Sequence, residues 1–313
     1  MTSVKSYAIY FSMVSKEIRP NLPTLATQDN PFTYEHFARQ PEYVRVNREL
    51  VQILFSFLPR NFFHVDVATG TGLVPNLLIE EAQKNGSRGK IIGVDPNSDS
   101  IAIAKRTTLK TNDVQVHYIE GVGQNLKRLL FDKIPQEGVD GVSIHDALHE
   151  IRDEEDKLTT VQSMANILKP GGVFSFNSAF TTEAIRVNVR GWAGWKFTAM
   201  KILNGERDRQ VDTMAIHTPD KYKQMLKEAG LNIIHEAQNQ VMLSKEALRA
   251  ISKYPAFVKG VFEDMKGQEH ITVESKSEAL IQALDDREIV GLPRIWYELV
   301  AQKPLTPAFS TRG

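Results

Sequence analysis

Five short apolar runs separated by amphipathic segments constrain the fold of this chain more than any other feature. The runs are Phe63–Ala68, Lys90–Val94, Val114–Ile119, Gly141–Ile144 and Val173–Asn177. Apolar residues recur at helical spacing between the runs, in Leu73–Asn85, Ser98–Leu109 and Asp153–Leu168. Ser98 is predicted to cap the second helix, and residues 169–172 are predicted to form the turn that ends the third. Strands that alternate with helices build a parallel sheet with helices on both faces. The pattern therefore predicts an α/β fold.

The sequence outside this alternation predicts further segments. They are an N-terminal helical lid (1–58), the α/β core (59–179), an aromatic insertion (180–217), a C-terminal part of the sheet (218–303) with a helical insertion at about 244–290, and a tail (304–313). The elements predicted in these segments are helices near Ala8–Ile18 and over Arg45–Leu58, a helix capped by Thr218, and strands Leu231–Met242 and Arg294–Ala301. Pro255 interrupts the second insertion.

Charge and composition exclude several classes of protein. The 38 basic residues balance the 38 acidic ones, which leaves no electrostatic footprint for nucleic acid. The absence of cysteine excludes disulfides, thiolate nucleophiles and sulfur-ligated metals. No run approaches the roughly 18 apolar residues of a membrane span, and no signal-peptide cleavage site follows the N-terminus. We expect a cytoplasmic protein that binds neither nucleic acid nor membrane.

Two strand ends carry the residue types of a nucleotide site. Val65–Gly72 is a strand that runs into a turn with Gly70 and Gly72 and then into a helix, so the backbone can approach a ligand closely. Such a turn also occurs without a ligand. About twenty residues further on, a second strand ends at Asp95, whose carboxylate can accept ribose hydroxyls. Together the two ends predict a ribose-containing ligand.

A nicotinamide dinucleotide is the first competing ligand for such a turn. The dinucleotide fingerprint needs a third glycine three residues after the second, and Pro75 stands there. An NAD-dependent oxidoreductase is therefore a minor alternative.

Four blocks resemble, in order and spacing, those of class I S-adenosylmethionine-dependent methyltransferases, of the type that acts on small molecules. The blocks are VDVATGTGLVP, GVDPNSDSIAIAK, IHDALHEI and ILKPGGVF, within residues 60–178. The resemblance implies a Rossmann-like, mostly parallel sheet of seven strands whose last strand is antiparallel. It also implies that S-adenosylmethionine is the cofactor and lies over the carboxyl ends of the strands.

The resemblance assigns cofactor roles to named residues. Those expected around the methionine part and the ribose are Asp66, Ala68, Thr69, Gly70, Gly72 and Asp95, and those expected beside the adenine are Pro96, Asn97, Val122, Gly123 and Gln124. Many family members carry an aspartate where Val122 stands, and it binds the adenine amino group. Here that contact must come from backbone or from Gln124.

The fourth strand is followed by His145-Asp146-Ala147-Leu148-His149-Glu150, at the catalytic edge of the predicted sheet. His145 is expected next to the cofactor, and either His145 or His149 is a candidate general base. The alternative is structural: His145 shapes the pocket and His149 packs against the next helix. No further cluster completes a metal coordination set, so no metal is expected.

The acceptor is expected to be a small, partly apolar metabolite of secondary metabolism. Tyr34 in the lid and Trp192, Trp195 and Met200 in the first insertion are the candidate acceptor contacts, although the insertion residues could equally be core. Oxygen is the expected methyl acceptor because oxygen acceptors are common, with nitrogen and carbon left open. A protein that binds the cofactor without transferring methyl, as a regulator or a cyclase-like catalyst, is the alternative. A homodimer is also left open.

Overall fold

The computed structural model describes residues 33–211 and 216–305. The helix predicted near Ala8–Ile18, most of the predicted lid and residues 306–313 of the predicted tail lie outside these ranges. Within them, no helix combines the length and the apolar character needed to cross a membrane.

The sheet has seven strands in the order β3-β2-β1-β4-β5-β7-β6. The strands are β1 Asn61–Val67, β2 Arg88–Asp95, β3 Val114–Glu120, β4 Val139–His145, β5 Leu168–Ser178, β6 Asn232–Ser244 and β7 Gly291–Gln302. The first five strands pair in parallel, and β7 runs antiparallel to both β5 and β6. The Rossmann-like, mostly parallel sheet with an antiparallel last strand is thereby confirmed.

Strand β5 begins earlier than the apolar pattern predicts. The expected start was Val173, after a turn, but Leu168 already pairs with Val139. The pairing then shifts register, so that Gly141 lies opposite Val173, and Gly171 takes up a positive φ of 80° within the irregularity. The predicted turn is therefore a bulge inside the strand.

Eleven α-helices surround the sheet in the described residues. They are α1 Glu35–Ala38, α2 Pro41–Phe55, α3 Leu73–Asn85, α4 Ser98–Thr107, α5 Leu126–Leu129, α6 Glu154–Ile167, α7 Val189–Ile202, α8 Pro219–Glu228, α9 Lys245–Ile251, α10 Pro255–Val261 and α11 Val273–Asp286. Helix α3 matches its predicted bounds. Helix α2 begins four residues before the prediction, because Pro41 suits the first helical position.

Side-chain caps fix the starts of several helices. Thr218 caps α8, as the sequence predicts, and Asp153, the first residue of the predicted helix, caps α6. For α4 the predicted cap was Ser98, whereas the side chain of Asn97 accepts the N–H groups of Asp99 and Ser100. Asn97 is the residue with extended backbone, and this geometry defines the capping position.

Three apolar clusters hold the layers together. Helices α2 and α3 pack on one face of the sheet, around Leu50, Leu78 and Ile91. Helices α6 and α8 pack on the other face, around Met164 and Leu226. The third cluster joins the two predicted insertions, because α7 packs against α11 beside the start of β7. The division into segments stays a prediction, but the insertions share one core.

Gly72 provides a test of how the sheet packs on α4. Its φ is 89°, and a Cβ atom there would lie 2.9 Å from the Tyr118 hydroxyl and 3.2 Å from the Ala104 Cβ. We expect Gly72→Ala to lower the free energy of unfolding in urea by about 1–3 kcal/mol. Gly260→Ala is the control, because Gly260 lies in α10 with open space around it and the change should stabilise by up to about 1 kcal/mol. Equal effects of both variants would contradict the packing argument.

Candidate active site

A cavity of about 600 Å³ opens where β1, β2 and β4 end. Parallel strands present their carboxyl ends at one edge, and ligands of open α/β sheets bind there. The residues that directly follow β1 and β4, Ala68 and Asp146, have positive φ angles of 53° and 51°. Such conformations are costly for residues with a Cβ, and they cluster at functional sites.

The turn after β1 forms one wall of the cavity. Asp66, Ala68, Thr69 and Gly70 all line it. Gly70 has a φ of 52°, and a Cβ added to it would meet no atom within 4 Å, so a ligand can approach its backbone. The Asp66 Oδ2 and Thr69 Oγ1 atoms are buried and have no well-formed hydrogen bond among the described residues. The Thr69 hydroxyl nevertheless interacts with Asp66, whose pKa it lowers.

Gly72 does not line the cavity, although the sequence placed it at the ligand. Its missing Cβ makes room for Tyr118 and Ala104 instead. The second glycine of the turn thus allows helix and strand to pack closely. Only the first glycine faces the cavity.

Asp95 is held at the end of β2 by two backbone N–H groups. Its Oδ2 atom accepts from Gly70 at 2.8 Å, and its Oδ1 atom accepts from Asn97 at 2.9 Å. Each oxygen keeps a second lone pair for a ligand hydroxyl. Burial raises the pKa of this carboxyl, and the two N–H donors oppose that rise.

The residues predicted beside the adenine also reach the cavity. Pro96 and Asn97 follow β2, and Val122, Gly123 and Gln124 follow β3. The Asn97 side-chain oxygen is engaged as the cap of α4. Gly123 is needed for packing, since a Cβ there would lie 2.6 Å from Thr160. The sequence did not point to Asp99 and Ser100, which line the cavity in the first turn of α4.

His145 lines the cavity, but its ring is fully engaged in a buried network. Asn47 donates from Nδ2 to the Tyr43 carbonyl at 2.9 Å, so its Oδ1 atom accepts from His145 Nδ1 at 3.0 Å. His145 Nε2 then accepts from the Ser175 hydroxyl at 2.8 Å. Burial lowers the pKa of His145 to about 3. This geometry corresponds to the structural interpretation of His145, in which it shapes the pocket, and the role of general base stays a prediction without support from it.

His149 is absent from the cavity lining. It stacks on Phe180 at a ring-centroid distance of 4.1 Å, and its Nδ1 atom lies 3.4 Å from the Ser178 hydroxyl. Burial, together with the charges of Arg294 and Lys157, lowers the pKa of His149 to about 3. The geometry corresponds to the structural interpretation of this histidine and not to the catalytic one.

Trp192, Trp195 and Met200 belong to the core and not to the cavity. The indole N–H groups donate to the carbonyls of Pro293 and Leu280, each at 2.8 Å. Trp192 also lies 4.7 Å from the guanidinium carbon of Arg294. Acceptor contact was the wrong expectation for these residues, because α7 turns this face towards α11 and β7.

An aromatic wall, formed by Tyr34, Tyr43 and Tyr254, closes the cavity instead. Tyr34 packs edge-on against the other two rings, with centroid distances of 5.6 Å to Tyr43 and 4.9 Å to Tyr254. Its hydroxyl donates to Asp146 Oδ2 at 3.3 Å. Tyr34 was predicted to face the acceptor. Tyr254 was missed, and the signal that could have found it is the helix break at Pro255.

In the described part of the chain, every charged side chain that lines the cavity is acidic. These residues are Asp66, Asp95, Asp99, Asp146 and Glu150. Burial raises the pKa of Asp66 to about 7, of Asp146 to about 6 and of Glu150 to about 7. Within residues 33–211 and 216–305 no three metal-ligating side chains stand close enough together to hold a metal ion. The cavity is suited to a cationic ligand.

The sheet order, the antiparallel seventh strand and the cavity at the strand ends define a Rossmann-like methyltransferase fold. The comparisons agree: a family model described as a methyltransferase domain matches residues 34–236. The chain belongs to this family, and it is a methyltransferase that depends on S-adenosylmethionine. Comparison with curated protein sequences finds no match.

Solved structures share this fold at low sequence identity. A putative methyltransferase from Bacillus halodurans has a TM-score of 0.52 and 17% identity, covering 82% of this chain and 98% of its own. The YcgJ protein from Bacillus subtilis has a TM-score of 0.51 and 13% identity, covering 83% and 99%. Loganic acid methyltransferase, bound to S-adenosylhomocysteine, has a TM-score of 0.55 and 10% identity, covering 90% and 99%.

The cavity fits S-adenosylmethionine by its own chemistry. Asp66 and Thr69 bring buried side-chain oxygens without a well-formed hydrogen bond, and such atoms are costly unless a ligand satisfies them. Gly70 leaves space for the ligand, and Asp95 holds two oriented oxygens for hydroxyl groups. The excess of carboxylates matches the positive sulfonium and ammonium groups of the cofactor.

The role of Asp95 is testable by calorimetric titration with S-adenosylhomocysteine. Asp95→Ala should weaken binding by about 10- to 100-fold or more, because the loss of even one bond to a charged group costs about 1.5–3 kcal/mol. Asp113→Ala is the control, since Asp113 is an exposed acid beside Arg88 and outside the cavity lining. An unchanged affinity in Asp95→Ala would show that this carboxylate does not hold the ribose.

The buried state of His149 predicts a pH-dependent stability. Below pH 6.5 the unfolded chain takes up a proton on this histidine that the folded chain, with a pKa of about 3, does not. The folded state therefore loses stability as the pH falls from 6.5 towards 3. In urea unfolding, the free energy of unfolding of His149→Phe relative to that of the natural chain should rise by about 2 kcal/mol between pH 8 and pH 5. A difference between His149→Phe and the natural chain that does not change with pH would contradict the buried, neutral state of His149.

Proposed function

We propose that this protein transfers a methyl group from S-adenosylmethionine to a small, partly apolar acceptor. One observation carries the proposal: a single cavity is lined both by the turn that fits the cofactor and by the aromatic wall. Ile151, Pro255 and Ala256 add apolar surface to the same cavity. A volume of about 600 Å³ lies within the range of roughly 300–1,000 Å³ that small-molecule sites occupy.

The residues of this chain divide the work of binding and alignment. Asp66, Thr69, Gly70 and Asp95 hold the cofactor in the proposal, and Tyr34 and Tyr254 cover the acceptor. When bound, S-adenosylmethionine supplies a methyl group on a positively charged sulfur that is already a good leaving group. The protein therefore needs mainly to orient the acceptor and exclude water, and orientation alone can contribute about 7–11 kcal/mol.

The methylated atom depends on what can remove a proton from the acceptor. The sequence favoured oxygen with a histidine base, but His145 is neutral and engaged and His149 lies outside the cavity lining. Glu150 lines the cavity and keeps contact with solvent. Partial loss of solvation raises its pKa to about 7, so it is the better-placed base. A role in secondary metabolism fits this arrangement and stays part of the proposal.

Transfer is tested with isotopically labelled S-adenosylmethionine and a panel of small alcohols, phenols, amines and carboxylic acids. We expect labelled methyl to appear on at least one acceptor class, detected by mass spectrometry, with S-adenosylhomocysteine formed in equal amount. Asp95→Ala is the control and should reduce transfer as it reduces cofactor binding. Binding of the cofactor without transfer to any class would favour the alternative, a cofactor-binding protein that is not a transferase.

A further inference from the structure

Glu150 and Tyr254 form a hydrogen-bonded pair in the wall of the cavity. The Tyr254 hydroxyl lies 3.0 Å from Glu150 Oε1 and 3.1 Å from Oε2, so it donates to the carboxylate as a whole. Glu150 follows β4, whereas Tyr254 lies between α9 and α10 in the second insertion. The pair therefore joins the catalytic edge of the sheet to the part of the chain that covers it.

The surroundings of Glu150 contain aromatic rings and further acids. Tyr254 donates to it, and the ring of Tyr254 packs against Tyr34. The charges that act on Glu150 are those of Asp146 and Asp95, which are both negative. The buried Arg294, which lies outside the cavity lining, offsets the charge of Asp146. Glu150 and Asp95 have no lysine or arginine beside them in the described part of the lining.

A carboxylate beside aromatic faces is suited to bind an organic ammonium ion. The carboxylate accepts the ammonium N–H groups, and the ring faces attract the cation by about 0.5–2 kcal/mol. A carboxylate or phenolate acceptor would be repelled by the acids of the cavity. A neutral alcohol would gain neither the ion pair nor the cation–π attraction.

We propose that Glu150 and the aromatic wall form the acceptor subsite, that the acceptor is a primary or secondary amine bound as its ammonium ion, and that nitrogen is methylated. This inference rests on the proposed function and narrows it. It replaces the oxygen acceptor that the sequence alone favoured.

The transfer requires a proton to leave before the methyl group arrives. An ammonium nitrogen has no lone pair, so the Glu150 carboxylate first takes one proton and becomes a carboxylic acid. The freed nitrogen pair then forms the bond to the methyl carbon, while the carbon–sulfur bond breaks and its electron pair stays on sulfur. The products are the methylated ammonium ion and S-adenosylhomocysteine. Glu150 finally releases its proton to solvent.

The sulfonium of S-adenosylmethionine is the other cation that this subsite could serve. S-adenosylhomocysteine lacks the methyl group on sulfur, and with it the positive charge, and otherwise has the same parts. If Glu150 binds the sulfonium, its neutralisation weakens binding of S-adenosylmethionine much more than binding of S-adenosylhomocysteine. If Glu150 binds the acceptor, neither affinity changes.

The experiment is a set of calorimetric titrations on the full chain and on Glu150→Gln. The first probes are S-adenosylmethionine and S-adenosylhomocysteine, each titrated alone. The second probes are benzylamine, phenethylamine and hexylamine, each compared with the alcohol of the same carbon skeleton in the presence of saturating S-adenosylhomocysteine. We expect at least one amine to bind the natural chain more than tenfold more tightly than its alcohol. Glu150→Gln should weaken binding of that amine by about 10- to 100-fold and leave the affinities for both adenosyl ligands unchanged.

Glu246→Gln is the matched control, because Glu246 is an exposed glutamate on α9 outside the cavity lining. It should keep the amine preference. The inference is overturned if no amine binds better than its alcohol. It is also overturned if Glu150→Gln weakens binding of S-adenosylmethionine and of no other probe. Failure of the natural chain to bind either adenosyl ligand overturns the proposed function itself.

Tyr254→Phe gives a second test, the pH dependence of amine binding, which would not change if Glu150 had only a structural role. The Tyr254 hydroxyl lowers the pKa of Glu150, whereas burial and the charges of Asp146 and Asp95 raise it. Removing the hydroxyl should therefore raise this pKa, so that loss of amine binding on acidification begins at a higher pH than in the natural chain. An amine-binding pH profile that Tyr254→Phe leaves unchanged contradicts the role given to Glu150.

Discussion

The carboxylate of Asp95 joins the end of β2 to the turn that follows β1, through its bond to the Gly70 N–H group. This bond stands at the point where Ala68 and Gly70 depart from extended backbone into positive φ. A second bond, to the N–H of Asn97, places that residue to cap α4. One side chain thus fixes the turn, the neighbouring helix start and its own orientation towards a ligand. The shape of the cavity depends on it.

The same edge of the sheet concentrates negative charge in a place where water is scarce. Burial raises the pKa values of Asp66 and Asp146 because each carboxylate loses solvation that the described protein only partly replaces. Glu150 lines the same cavity but stays exposed to solvent. A ligand that brings positive charge relieves this cost, so binding and charge neutralisation are coupled. The cofactor carries one net positive charge, and an ammonium acceptor would bring a second. The electrostatic argument therefore extends from the cofactor to the acceptor.

The sequence predicted the sheet, the glycine turn and Asp95 because each of these is encoded locally. Apolar runs, glycine spacing and an acid at a strand end predict the same local structure regardless of how the helices pack around it. The state of His145 could not be predicted, since it is set by Asn47, which lies 98 residues away along the chain. The location of Trp192 and Trp195 depended on which face of α7 meets α11, and aromatic residues suit a core and a pocket equally.

The two insertions contribute to the cavity unequally. Helices α7 and α11 bury their apolar faces against each other and against β7, so changes there disturb a packed core. The short stretch from Tyr254 to Ala256, where α9 gives way to α10, reaches the cavity instead. Pro255 and Ala256 are the first residues of α10, and Tyr254, directly before them, packs against the core that the insertions share. The residues proposed to contact the acceptor are therefore tied to the packing of the fold, and the Glu150–Tyr254 contact joins them to the carboxyl edge of the sheet.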